Sequence, residues 1–373
     1  MISMEPVLKR GYSTWDRHVL PPDEYSSRVD SVCAALAGRN LAALVVVNYS
    51  LLGALFDYAD IAYLAGVQSG GALLIVPGSE PALVSFGGGR ELFFLRTQTW
   101  ITDISAGAGK PFDVIANKLR ARGVTSGAVG VVGTAAMPAH VQARFTEALS
   151  GHELAPFDAD LKALRATKRP REVMAVSIAK GIADDAIAAG LGVFDAGGNN
   201  TAAMLQAERA ARLGKARDVR VLASMGGAEL RPFEGRLDGR HAPLRLWVAA
   251  QYQGYWAEAA ACHPSAGRTS ADAAVDAMQS AARAGTPAGS VADAALKALG
   301  AAADTALSYG LGGTIGLAHN EGLALRPGNA QTLAEGALLA LRVHVPDGPT
   351  PALVSAIISV GRDGGRSIEP LRL

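Results

Sequence analysis

The chain has 373 residues, 49% of them hydrophobic and 18% charged, with a formal net charge of +1. That length suits two domains with ample core, and the composition excludes a disordered chain. The nearly balanced charge leaves no electrostatic footprint for nucleic acid or an anionic membrane, so neither is expected as a partner.

The opening residues, to about Pro22, are polar and rich in Pro, Arg and Tyr; they read as an arm on a surface, with no apolar run of signal-peptide length. EYSSRVDSVCAALAGRN follows, with Val29, Val32, Cys33 and Leu36 at helical spacing. LAALVVVN is a short apolar run and predicts a buried strand. GGALLIVP and PALVSF, split by the turn signal PGSE, predict a hairpin. PFDVIANKLRARG is an amphipathic helix, GAVGVVG a strand and VQARFTEALSG a closing helix. This alternation predicts an α/β domain over residues 1–158.

The pattern then changes. A basic stretch (Lys162, Arg165, Lys168, Arg169, Arg171) precedes a long alanine-rich helix whose first turn suits Pro170. TAAMLQAERAARLG is a second helix and DVRVLASMG a strand. LRLWVAAQYQGYWAEAAACH predicts two strands around a turn at Gln253-Gly254. Two helices, SADAAVDAMQSAARAG and VADAALKALGAAA, precede two late strands, GALLALRVHVP and PALVSAIISVG. Residues 159–373 therefore predict an α+β domain with an antiparallel sheet built from distant strands. No apolar stretch is long and unbroken enough to span a bilayer. The two cysteines, Cys33 and Cys262, read as reduced thiols, so a cytoplasmic setting is expected.

Five segments of the second domain resemble, in order, the creatinase, prolidase and aminopeptidase P group. LKALRATKRPREVMAVSIAKGIADDAI resembles the entry to that group's catalytic domain. GYWAE resembles its G-Y-x-x-D strand, and SYGLGGTIGLAHNEG its G-H-G-I-G-L-x-x-H-E segment. LAEGALLALRVHVP resembles the strand reading G-M-x-x-x-x-E-P, and ALVSAIISVGRDGG the closing strand that carries E-D. The resemblance implies an α/β N-terminal domain plus an α+β pita-bread domain, and a homodimer. The group's peptidases activate water on two metal ions held by five side chains. Carried over singly, the ligand positions fall on Trp247, Glu258, Gly313, Arg342 and Ser355. One carboxylate of the set remains, so no metal is expected. A second pocket histidine of the group matches Asn320, and a further one falls on Arg231-Pro232. Creatinase, in the same group, hydrolyses a C–N bond without metal, but it uses a pocket histidine that this chain lacks.

The remaining polar residues carry the expected chemistry. His319 and Glu321, in AHNEG, suit an acid–base pair, because imidazole titrates near neutral pH and a carboxylate orients it. Arg342 and His344 share a strand face, and an arginine fork suits a substrate carboxylate. Glu258 is either a base or the counter-ion of Arg342. Trp247, Tyr255 and Trp256 are expected to shape the pocket, Trp247 by filling it or by stacking on a ligand. GLGGTIGLA lacks the strand–turn–helix setting of a nucleotide loop, so no cofactor is expected. These features predict catalysis by Glu258, His319, Glu321 and His344 on a small polar substrate bearing a carboxylate. The alternative is a catalytically inactive pita-bread module for binding or scaffolding.

Overall fold

A computed structural model describes residues 15–49, 59–87, 89–234, 239–347 and 350–373. Most of the expected N-terminal arm, residues 1–14, lies outside the described residues. From Trp15 to Pro22 the chain exposes Arg17, His18 and Pro22 and buries Trp15, Val19 and Leu20, and the Trp15 indole donates to the Leu20 carbonyl at 2.8 Å. The chain forms two compact units, one ending at Ala166 and one spanning Thr167–Leu373.

The first unit contains α1 (Pro22–Gly38), β1 (Ala43–Asn48), α2 (Ala59–Ala65), β2 (Gly71–Ile75), β3 (Ala82–Ser85) and α3 (Gly89–Gln98). It continues with β4 (Asp103–Ala106), α4 (Pro111–Ala121), β5 (Ala128–Val132), α5 (Ala139–Ala148), β6 (Glu153–Pro156) and α6 (Asp158–Ala166). Its strands form one sheet in the order β4-β3-β2-β1-β5-β6. β2 and β3 pair antiparallel, as the PGSE turn predicts, β1 also pairs antiparallel with β2, and β5, β6 and β4 join parallel. Val45, Val47, Leu74, Val84 and Val131 face the buried sides of α4 and α5, where Phe112, Ile115, Leu119 and Phe145 complete the core. This is the expected α/β unit.

The second unit opens with α7 (Pro170–Asp195) and α8 (Asn200–Leu213). Pro170 sits in the first turn of α7, where its missing N–H costs nothing. Strands β7 (Asp218–Ser224), β8 (Leu230–Arg231), β9 (Leu244–Tyr252) and β10 (Tyr255–His263) form a sheet ordered β10-β9-β7-β8. Gln253 and Gly254 join β9 to β10 with φ of +50° and +88°. Positive φ at both positions is what a two-residue hairpin turn requires, and Gly supplies it without strain. α9 (Ser270–Ala281), α10 (Ala288–Leu299) and α11 (Ala303–Tyr309) follow. A second sheet is ordered β11-β12-β13-β14, from β11 (Gly312–Thr314), β12 (Leu338–Val345), β13 (Ala352–Val360) and β14 (Gly365–Ser367). Both sheets are antiparallel. Leu339, Leu341, Val343 and Val345 of β12 pack with α9 and α10, which leaves the even-numbered residues of β12 for the opposite face. On β10 the odd-numbered residues turn to α7, where the Tyr255 hydroxyl donates to Glu172 at 3.0 Å. The even-numbered face of β10 is thereby free to carry the site. Among the described residues no helix is long and apolar enough to cross a membrane.

Candidate functional site

Glu258 is the centre of the site. It lies on the even face of β10 and is 1% exposed. Arg342, on the even face of β12, forks onto it: Nε donates to Oε1 at 2.9 Å and Nη2 to Oε2 at 3.0 Å. His319 Nε2 bonds Oε2 at 3.0 Å. Burial pushes the Glu258 carboxyl up, but the charge of Arg342 and the bonds from His319 and Arg342 outweigh it, holding the group at about 2. The carboxylate is ionised throughout the neutral range, with both oxygens engaged.

Aromatic rings fix this network laterally. The rings of Trp247 and His319 meet edge-to-face at 5.5 Å, and those of Trp256 and His319 at 6.0 Å. The Arg342 guanidinium lies over the Trp247 ring at 5.2 Å, a cation–π contact that holds the fork in place. Register explains the meeting: Trp247 pairs with Ala260, two residues beyond Glu258, so both point to one face. Arg220 covers the Trp256 ring at 4.3 Å.

Four expectations change. Glu321 is engaged away from the expected acid–base role: it accepts from Lys168 Nζ at 2.6 Å and from the Leu317 amide at 3.1 Å. Glu321 thus clamps its own loop to the start of the unit, and His319 is oriented by Glu258 instead. Arg342 meets Glu258 rather than presenting an open fork, so two of its nitrogens are spent. Tyr255 faces α7 by strand parity and does not line the site. His344 does share the face of Arg342, but it is 1% exposed and its ring nitrogens find no partner among the described residues. Burial and the nearby charges of Arg245 and Arg342 lower it to about 4, so it stays neutral at pH 7. Arg245 was not singled out by the sequence reading. Its signal was legible, since it stands two residues before Trp247 in LRLWVAAQY.

The five positions matched to metal ligands do not fit a two-metal centre. Arg342 pairs across the sheet with Ser355, placing a cation and a hydroxyl where two carboxylates would be needed. At Gly313 an added Cβ would lie 2.2 Å from the Leu323 carbonyl oxygen, so the backbone already occupies the space of a side chain. Trp247 supplies a ring in place of an acid. Among the described residues no group of three or more His, Cys, Asp or Glu gathers to hold a metal ion.

No family model and no curated protein matches the chain. Solved structures do. X-Pro aminopeptidase from Thermotoga maritima MSB8 is 13% identical with a TM-score of 0.75, over 92% of this chain and 97% of that one. Dipeptidase PepE from Mycobacterium ulcerans is 20% identical with a TM-score of 0.68, over 94% and 96%. The N-terminal domain of FACT complex subunit SPT16 from Cicer arietinum (chickpea) is 15% identical with a TM-score of 0.61, over 93% and 96%. The chain has the pita-bread fold of the creatinase, prolidase and aminopeptidase P group.

Proposed function

We propose that the protein is a metal-independent, creatinase-like member of this fold whose site receives a small polar molecule bearing a carboxylate and a C–N bond. The observation that carries this reading is the Arg342–Glu258–His319 network, in which Arg342 and Glu258 are two of the positions matched to metal ligands. Glu258 orients His319 and neutralises Arg342; it does not collect protons, because it is held ionised at about 2. Proton transfer falls to His319, whose side chain is 18% exposed and so reaches the ligand. A cytoplasmic homodimer belongs to the same proposal, on the habit of the group. Screening carboxylate metabolites by thermal shift tests the reading, since a ligand that binds only the folded state raises its stability. The expected result is stabilisation by a small carboxylate, followed by a new product in its NMR spectrum. Stabilisation by none of them overturns the proposal.

A second reading, an inactive binding or scaffolding module, is supported by Trp247. Its buried ring stands at a position matched to a metal ligand, and one similar structure is the N-terminal domain of FACT complex subunit SPT16. Under that reading a carboxylate binds without any product forming.

A further inference from the structure

The face that carries Glu258 continues beyond it, and its far end holds polar atoms that the protein leaves unpaired. Two ties fix that end. Arg342 on β12 lies over Trp247 on β9, and Arg245 on β9 donates from Nη1 to the carbonyl of Pro346, just past β12, at 2.8 Å. His344 stands between Arg342 and Pro346 in the chain. By the two-residue period of the strand it shares the face of Arg342. It is therefore bracketed by the Arg245–Trp247 stretch, and the Tyr309 ring lies 4.4 Å from its ring.

Arg245 Nε, Trp247 Nε1 and both ring nitrogens of His344 are buried without a hydrogen-bond partner among the described residues. The three residues are 6%, 5% and 1% exposed. A guanidinium N–H and an indole N–H can only donate, and a neutral imidazole adds one further N–H. Unpaired buried donors are costly, and native proteins seldom leave them together. Arg245 adds a buried charge: its guanidinium donates to the carbonyls of Pro346 and Gly227, and among the described residues it forms no ion pair. The nearest acid of the site, Glu258, is already committed to Arg342 and His319. What is missing is one negative charge with oxygen acceptors.

The geometry points to a carboxylate subsite between β9 and β12, in which Arg245, Trp247 and His344 donate to the oxygens of a small monoanionic ligand. This rests on the reading that the site takes a carboxylate, and it moves the anchor from Arg342 to Arg245. The bound carboxylate accepts from Arg245 Nε, Trp247 Nε1 and one imidazole N–H, while the remainder of the ligand extends toward His319. Neither Arg245 nor His344 falls on a position matched to a metal ligand, so the subsite is this chain's own.

Acetate and formate are the probes, with acetamide as the neutral control, added to the full chain labelled with 15N. W247F identifies the Trp247 indole signal, and H344F identifies the His344 ring signals. The expected result is a saturable shift of both with acetate and formate and none with acetamide, and acetate binding about tenfold or more weaker in R245Q. W247F, which removes the indole N–H but keeps a ring, is expected to weaken acetate severalfold, and it serves as the second measurement if R245Q does not fold. If acetate shifts the His319 signals but leaves those of Trp247 and His344 unmoved, the subsite is wrong and the carboxylate-binding reading stands. If acetate and formate shift nothing, the buried donors hold only water, and both readings fall.

Discussion

Glu258 is a buried acid with two cationic neighbours, and that arrangement sets its acid response. Its carboxyl is depressed from 4.5 to about 2. Its stabilisation is therefore complete above pH 4.5 and is lost as pH falls from there toward 2, because the unfolded chain takes up the proton first. His344 behaves likewise in a higher window: it is depressed from 6.5 to about 4. It imposes no cost above pH 6.5; as pH falls from 6.5 toward 4 the unfolded chain takes up the proton while the buried ring resists it, and stability drops. Denaturant midpoints measured across pH should fall in two stages. H344F is expected to remove the upper stage and E258Q the lower one; a profile unchanged by either substitution would refute the assignment. E258Q also strands Arg342 beside a neutral amide, and it is expected to cost about 3 kcal/mol of stability, read from denaturant unfolding. Much of this was readable in the residues. Parity on two strands placed Trp256 and Glu258 on one face and Arg342 with His344 on another. What parity could not supply was the partner of His319. Glu321 is two residues away in the chain, yet Lys168 captures it from 153 positions earlier.

At the scale of elements, close backbone approach explains several glycines of the second unit. A Cβ on Gly190 of α7 would lie 2.9 Å from the Ala203 carbonyl oxygen of α8 and 2.7 Å from a Leu246 methyl of β9. Gly190→Val is therefore expected to destabilise by about 1–3 kcal/mol through overpacking, measured as a lower Tm. Gly192, one step round the helix, has open space at its Cβ. Gly192→Ala should raise Tm slightly through helix propensity and is the matched control. Long periodic elements were legible: α7, α9 and α10 carry apolar positions at helical spacing, and the hairpin at Gln253-Gly254 carries its turn chemistry. Short elements of the first unit were not. α2 and β4 have 7 and 4 residues, too few for a period to emerge, and their placement comes from neighbouring strands and helices. In the N-terminal stretch, the burial of Trp15, Val19 and Leu20 was not legible for a related reason, since three apolar residues among polar ones show no period.

Over the whole molecule, the order of five segments was enough to specify the pita-bread fold, although identity to the solved structures cited is 20% or less. Fold survives such divergence because it depends on buried periodicity and turn chemistry, which many sequences satisfy. A metal centre does not, because each ligand position needs its own side chain. In this chain Trp247, Glu258, Gly313, Arg342 and Ser355 stand at the matched positions, and Glu258 is tied to Arg342 and to His319 instead of to metal. Metal content is therefore the most direct measurement. Full-length protein, purified after growth with added manganese, iron, cobalt and zinc, is analysed by inductively coupled plasma mass spectrometry and then titrated with Mn2+ by calorimetry. The account predicts metal well below one equivalent per chain, no saturable Mn2+ heat, and a Tm unmoved by chelator. Stoichiometric metal that is lost in E258Q would contradict it.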